Sequence, residues 1–113
     1  MFEEVQGRDL ATVTFVRDYV QLGFDGPSFT LVVDPVVKSG GHEFRRKDNG
    51  FCDALVSLIN KRLLRCELEE NVSMRLLFDS GESLMVPLGD EVRGTNPEAV
   101  IYYASGNNVA SVW

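Results

Sequence analysis

Hydrophobic and polar residues alternate in three short runs near the start of the chain, between residues 13 and 33. The apolar positions of these runs are Val13 and Phe15, then Val20, Leu22 and Phe24, and then Phe29, Leu31 and Val33. A period of two is typical of β-strands that bury one face. Residues 17–18 and the turn-forming residues 25–28 separate the runs, so the pattern predicts a three-stranded antiparallel meander.

A second region with the same alternation extends from residue 64 to residue 86. Its apolar positions are Leu64, Cys66 and Leu68, then Val72, Met74, Leu76 and Phe78, and then Leu84 and Val86. Placing Phe78 on Phe24 gives an offset of 54 residues, under which Leu76 matches Leu22. Two explanations fit this repeat: an internal duplication, or two independent meanders that bury the same kind of face.

Between the two meanders, residues 34–50 lose the alternation and become rich in Gly, Lys, Arg and Asp, which predicts a long loop. The apolar residues that follow fall at helical spacing, and they are Phe51, Ala54, Leu55, Leu58 and Ile59. This spacing predicts an amphipathic helix from Phe51 to Arg62, packed on the sheet.

The last fifteen residues, AVIYYASGNNVASVW, predict a hairpin with its turn at residues 105–108, because Gly and Asn tolerate tight turns. We expect Trp113 to plug the core or its rim, the alternative being an exposed anchor for a partner. Together the elements predict one α+β domain over residues 1–113, with two antiparallel meanders, a C-terminal hairpin and one helix. A chain of this length can bury a core without a metal or a disulfide.

The segments GRDLATVTFVRDYVQLGFDG, FDSGESLMVP and VASVW together resemble a family of small uncharacterised bacterial domains. Members of that family show a Gly-Arg near the start, a V.L.F..G strand pair twice over, and a C-terminal strand that closes on Val-Trp. The resemblance covers nearly the whole chain. It implies a fold rather than an activity, and by analogy with the proteins of this sort that serve as immunity or accessory factors it implies a role of that kind.

The net charge of −6 is unevenly distributed: residues 38–65 carry seven basic and three acidic side chains, a net of +4, and the remainder carries −10. This acidity argues against nucleic-acid binding and favours a basic protein partner. Two cysteines and an N-terminus, MFEEVQGRDL, without an export signal predict a cytoplasmic protein. No apolar stretch approaches the roughly 20 residues of a membrane span.

The chain has little that points to catalysis, and we expect neither an enzyme, a metal nor a cofactor. The best enzymatic hypothesis is a Cys52 thiolate in the first helical turn with His42 as its base; the alternative is that Cys52 is a small buried hydrophobe. Asp25 and Asp79, at equivalent turns, fit either an acid–base pair or aspartates that bond their own turn backbone.

The basic loop of residues 38–49 offers the best candidate site, with His42, Arg45, Arg46 and Lys47 placed before a predicted helix N-terminus. The favoured function is non-enzymatic protein binding, in an immunity-like or accessory role. The alternatives are a small-ligand or anion-binding module that uses this loop and a Cys-dependent enzyme. A homodimer is a further hypothesis, in which the strand 109–113 lies at a sheet edge.

Overall fold

The computed structural model describes residues 1–106 and 108–113, and in these ranges the chain forms ten strands and two short helices. The strands are β1 Thr12–Val16, β2 Tyr19–Gly23, β3 Ser28–Leu31, β4 Val36–Ser39, β5 His42–Phe44, β6 Leu63–Glu69, β7 Ser73–Phe78, β8 Ser83–Pro87, β9 Val100–Ala104 and β10 Asn108–Val112. The helices are α1 Phe51–Val56 and α2 Asp90–Arg93. Neither of these described helices is long and apolar enough to cross a membrane.

The strands form two antiparallel sheets of five strands each. Sheet 1 has the order β1-β2-β3-β9-β10, and sheet 2 has the order β5-β4-β8-β7-β6. Both predicted meanders are confirmed, as β1-β2-β3 and as β6-β7-β8. The hairpin β4–β5 follows the first meander in the sequence but pairs with the second, through β8. The hairpin β9–β10 follows the second meander but pairs with the first, through β3.

The two halves of the chain therefore exchange their hairpins, and the topology has an approximate twofold symmetry. The registers agree with this symmetry: Phe29 of β3 pairs with Tyr102, and Leu84, its counterpart in β8, pairs with Val37. The segments that lead into the two meanders also pair with each other. The N–H of Gly7 donates to the Leu63 carbonyl over 2.7 Å, and an isolated antiparallel bridge follows between residues 9 and 62.

The inner faces of both sheets contribute to a single hydrophobic core. Its largest fully buried side chains include Tyr102, Phe24, Phe29 and Phe51. Each such side chain contributes about 1.5–3 kcal/mol by leaving water. Trp113 packs against this core, 5.6 Å from the Phe2 ring, and its backbone N–H donates to Val100. The prediction that the tryptophan packs into the core or its rim is confirmed for the rim, where its side chain is partly buried.

The predicted fold class is confirmed in part: the antiparallel sheets form, but the protein is β-rich rather than a clear α+β fold, and α1 ends at Val56 rather than at Arg62. Phe51, Leu55 and Leu58 are buried as the spacing predicts, but Leu58 lies in a turn beyond the helix. Asn60 then adopts a left-handed conformation, with φ of 73°, and its N–H donates to Leu10. Pairing with the N-terminal segment thus replaces the last turns of the predicted helix.

The prediction of a long loop over residues 34–50 is also wrong, because β4 and β5 form a hairpin there. Gly40 and Gly41, with φ of 59° and 81°, form its two-residue turn, where two positive φ angles favour glycine. Val37 is the buried residue of β4. In the predicted turn at 105–108, Asn107 lies outside the described residues; β9 and β10 on either side pair as predicted, with a register shift between Val109 and Ser111.

The carboxylate of Glu82 connects three segments of sheet 2. It accepts hydrogen bonds from Lys61 Nζ, from Ser80 Oγ over 2.9 Å and from Ser39 Oγ over 3.0 Å. Only 11% of the Glu82 side chain is exposed. Burial opposes the ionisation of Glu82, but these hydrogen bonds and the Lys61 charge together bring its pKa below the ordinary value of 4.5.

We expect Glu82→Gln to lower the free energy of unfolding at pH 7 by about 1–3 kcal/mol, because the Lys61 ammonium loses its ionic partner. Since the folded-state pKa is the lower one, this contribution is present above the unfolded pKa and is lost as the pH falls through the folded pKa. Denaturant unfolding of wild type and variant should therefore give curves that converge in acid. Glu69→Gln, at an exposed position of β6, is the control and should have little effect at either pH; a constant gap between wild type and Glu82→Gln would contradict this prediction.

Candidate functional site

Three of the four predicted binding residues lie in one groove, beside the connection between β3 and β4. Arg45, Arg46 and Lys47, which follow β5, line a groove of about 510 Å³. The other lining residues are Val32, Val33, Asp34, Pro35, Val36, Pro87 and Val92. The groove therefore has an apolar floor and a basic rim. His42 does not line the groove; it is exposed on β5, and its ring centroid lies 6.3 Å from that of Phe44.

Two of the three positive charges in the groove already have partners. Arg46 Nη1 lies 3.3 Å from Asp34 Oδ1, and Arg45 Nη1 lies 3.2 Å from Glu43 Oε1. In the part of the chain that the structure describes, no ion pair involves Lys47. Exposed ion pairs of this kind contribute at most about 1 kcal/mol, so an anionic ligand can displace the internal carboxylates at little cost.

The outer face of sheet 1 is a second surface, and the sequence prediction did not include it. The five strands of sheet 1 have the sequences TVTFV, YVQLG, SFTL, VIYYA and NVASV, without one Asp, Glu, Lys, Arg or His. A quarter of the whole chain is charged. The strands of sheet 2 carry seven ionisable residues of these types: Lys38, His42, Glu43, Arg65, Glu67, Glu69 and Arg75. Charge is thus confined to one of the two sheets.

The antiparallel registers align most of the outward side chains of sheet 1 in two rows of five across the strands. One row is Thr14, Gln21, Thr30, Ile101 and Val112, and the other is Thr12, Gly23, Ser28, Tyr103 and Val109. We call these ten residues the uncharged face. Its β9–β10 half is apolar, and there Val109 and Val112 are 61% and 50% exposed.

The enzymatic hypothesis finds little geometric support. Cys52 is exposed on α1, so the expectation that it is a buried hydrophobe is wrong. No hydrogen bond joins Cys52 to His42 among the described residues. Burial raises the pKa of the other thiol, Cys66, to about 12. Asp25 and Asp79 stand in turns of different sheets, and both are exposed.

Within the described residues, no group of three or more His, Cys, Asp or Glu side chains is arranged to hold a metal ion. No protein-family model, curated protein or solved structure matches this chain. Its likeness to small bacterial domains accordingly stays a prediction, and its function is inferred from its own surfaces.

We expect one of the two thiols to react readily with an aromatic disulfide reagent at neutral pH, because Cys52 is exposed whereas Cys66 is partly buried and its pKa is raised by burial. Titration of the folded protein, followed by peptide mapping, should place the label on Cys52. Unfolding in denaturant should release the second thiol. Rapid labelling of Cys66 in the folded protein would contradict the packing of β6.

Proposed function

We propose that this protein is a non-enzymatic binding protein that acts in the cytoplasm and docks a protein partner on its uncharged face. The absence of charge from the strands of sheet 1 is the observation that carries the proposal. Protein–protein interfaces lose charged residues at their centres and gain aromatic ones, because burying an unpaired charge is costly. Tyr103 and the neighbouring valines of β10 fit the centre of such an interface.

The uncharged face is apolar in one part and polar in another, which favours one orientation of a bound partner. Ile101, Tyr103, Val109 and Val112 provide apolar area, whereas Thr12, Thr14 and Gln21 provide hydroxyl and amide groups for hydrogen bonds. The net charge of −6 favours approach by a basic partner through long-range attraction. An immunity-like or accessory role, as the resemblance implies, needs a surface of this kind.

A photo-crosslinking amino acid at position 103 should capture one defined partner in cells of the source organism, because Tyr103 lies within the apolar half of the face. Adding Val112→Lys to the same chain should remove the adduct and weaken binding of the purified partner at least about tenfold, since an unpaired charge would enter the interface.

The matched control is the same crosslinker at Met85, on the outer face of sheet 2 beside Arg75. We expect no defined adduct from that position. Equal adducts from positions 85 and 103, or full binding by the Val112→Lys variant, would exclude the uncharged face as the docking surface.

The groove lined by Arg45, Arg46 and Lys47 supports a second candidate function, the binding of an anion with an apolar portion. Lys47 supplies a charge that has no ion pair among the described residues, and Val33, Pro35 and Val36 supply apolar contacts beside it. Ligand pockets typically combine mostly apolar walls with a few polar groups that orient the ligand. A carboxylate or phosphate that carries a short hydrocarbon chain has this combination.

We expect octanoate to raise the melting temperature of the wild-type protein more than inorganic phosphate does, because only octanoate also covers the apolar floor. Lys47→Glu combined with Arg46→Glu should abolish both shifts. Arg17→Glu, in the exposed turn between β1 and β2, makes a charge change of the same kind away from the groove and should preserve them. Shifts that survive in the double variant would remove the groove from consideration.

A further inference from the structure

Strand β1 is an edge strand that lacks the usual protection against pairing with another strand. Natural proteins protect sheet edges with charged residues, prolines, bulges or very short strands. The edges of sheet 2 show such devices: β5 has only three residues, and β6 contains Arg65, Glu67 and Glu69. In addition, the Gln6 side chain accepts a hydrogen bond from the backbone N–H of Cys66 on β6, over 3.0 Å.

The two edges of sheet 1 differ from each other. On β10 the register shifts between Val109 and Ser111, an irregularity that bends an edge and opposes pairing. On β1 all five residues, Thr12 to Val16, pair with β2 in continuous register, without a bulge, a proline or a charge. Thr, Val and Phe are also the residue types most favourable in strands. Of the four sheet edges, β1 is thus the one best prepared to receive another strand.

Phe15 shows that the core is incomplete at this edge. Its cross-strand neighbour is Val20, which is buried, so Phe15 faces the inside of the sandwich. Nevertheless 40% of its surface is exposed, because β1 is the edge of sheet 1 and no strand of the described residues lies beyond it. Val13, on the same inner side, is likewise only partly buried. A strand added at this edge would cover both side chains.

We propose that this chain forms a homodimer in which β1 pairs antiparallel with β1 of a second copy, across a twofold axis at Thr14. Several antiparallel registers would keep the core-facing side chains of one strand opposite those of the other. Only the register centred on Thr14 pairs all five residues of β1. Thr14 then faces the partner's Thr14, and Val13 faces the partner's Phe15. Threonine–threonine and aromatic–β-branched pairs are among the favourable cross-strand contacts.

A second copy suits this edge better than a foreign strand does, because the sequence Thr-Val-Thr-Phe-Val is nearly self-complementary about its centre. When a strand pairs with its own copy, any charged side chain near the twofold axis meets an identical charge and is repelled. β1 contains no charged residue, so its self-pairing carries no such penalty. The pairing joins two five-stranded sheets into one sheet of ten strands and places two uncharged faces side by side. The dimer does not depend on the partner-docking proposal, since it uses the β1 edge and not the β9–β10 half of the face.

The test is sedimentation equilibrium of the full chain, which should show a monomer–dimer equilibrium for the wild type. Thr14→Lys should raise the dimer dissociation constant at least about tenfold, because it places two lysines directly opposite each other. Thr14→Glu should have the same effect for the same reason. An equimolar mixture of the two variants should recover the dimer as a heterodimer, since Lys then faces Glu.

Val109→Lys is the matched control, another exposed outward position, on the other edge of sheet 1, and it should leave the dimer intact. A wild-type chain that stays monomeric at about 100 µM, far above the dissociation constants of most specific complexes, would overturn the proposal. Dissociation of the dimer by Val109→Lys, with no effect of Thr14→Lys, would also overturn it.

A lysine on β1 can also affect folding, so hydrogen exchange of the wild-type chain provides an independent measurement. The β1 amides should become more protected from exchange as the protein concentration rises. Uniform protection at all concentrations would likewise overturn the proposal.

Discussion

The pairing of β3 with β9 and of β8 with β4 is the constraint on which the rest of this structure depends. An isolated two-stranded hairpin is marginal in water at best, and a sheet with one apolar face must pack that face against another element. Here each meander is completed by a hairpin from the other half of the chain. Neither half can therefore bury its apolar face alone, and both sheets form together around one core. The contact between the lead-in segments, where Gly7 donates to Leu63, adds a further link between the halves.

The same exchange explains why charge is separated between the two sheets. The first meander has Thr, Gln and Ser at its outward positions, and the hairpin that joins it, β9–β10, has Ile, Tyr and Val there. The second meander has Arg and Glu at its outward positions, and the hairpin that joins it, β4–β5, contributes Lys38 and Glu43. If each hairpin paired with the meander before it, both sheets would carry charge. The exchange produces one uncharged face and one ionic face.

Much of the fold follows from local patterns, and the errors have identifiable physical causes. The alternation of hydrophobic and polar residues correctly located all six strands of the two meanders, because in a strand every second side chain faces the core. It missed β4 and β5 because those strands are short and partly charged, although Gly40 and Gly41 marked the turn between them. The helical spacing after Phe51 correctly identified buried residues, yet hydrogen bonds to the N-terminal segment ended the helix early. Of the candidate residues, Arg45, Arg46 and Lys47 do meet in one groove, whereas His42 lies apart.

The sequence by itself determined the two meanders, their buried faces and the packing of Trp113 against the core, since each of these depends on hydrophobic periodicity within a short stretch of chain. Only the tertiary structure decided which hairpin joined which meander, and with it the uncharged face, the groove beside β5 and the open edge at β1. Strand pairing between distant segments is governed by the closure of a shared core and by backbone hydrogen bonds, which are the same for every residue type. For this reason the repeated alternation of hydrophobic and polar residues indicates which side chains each strand buries, but not which strand lies beside it.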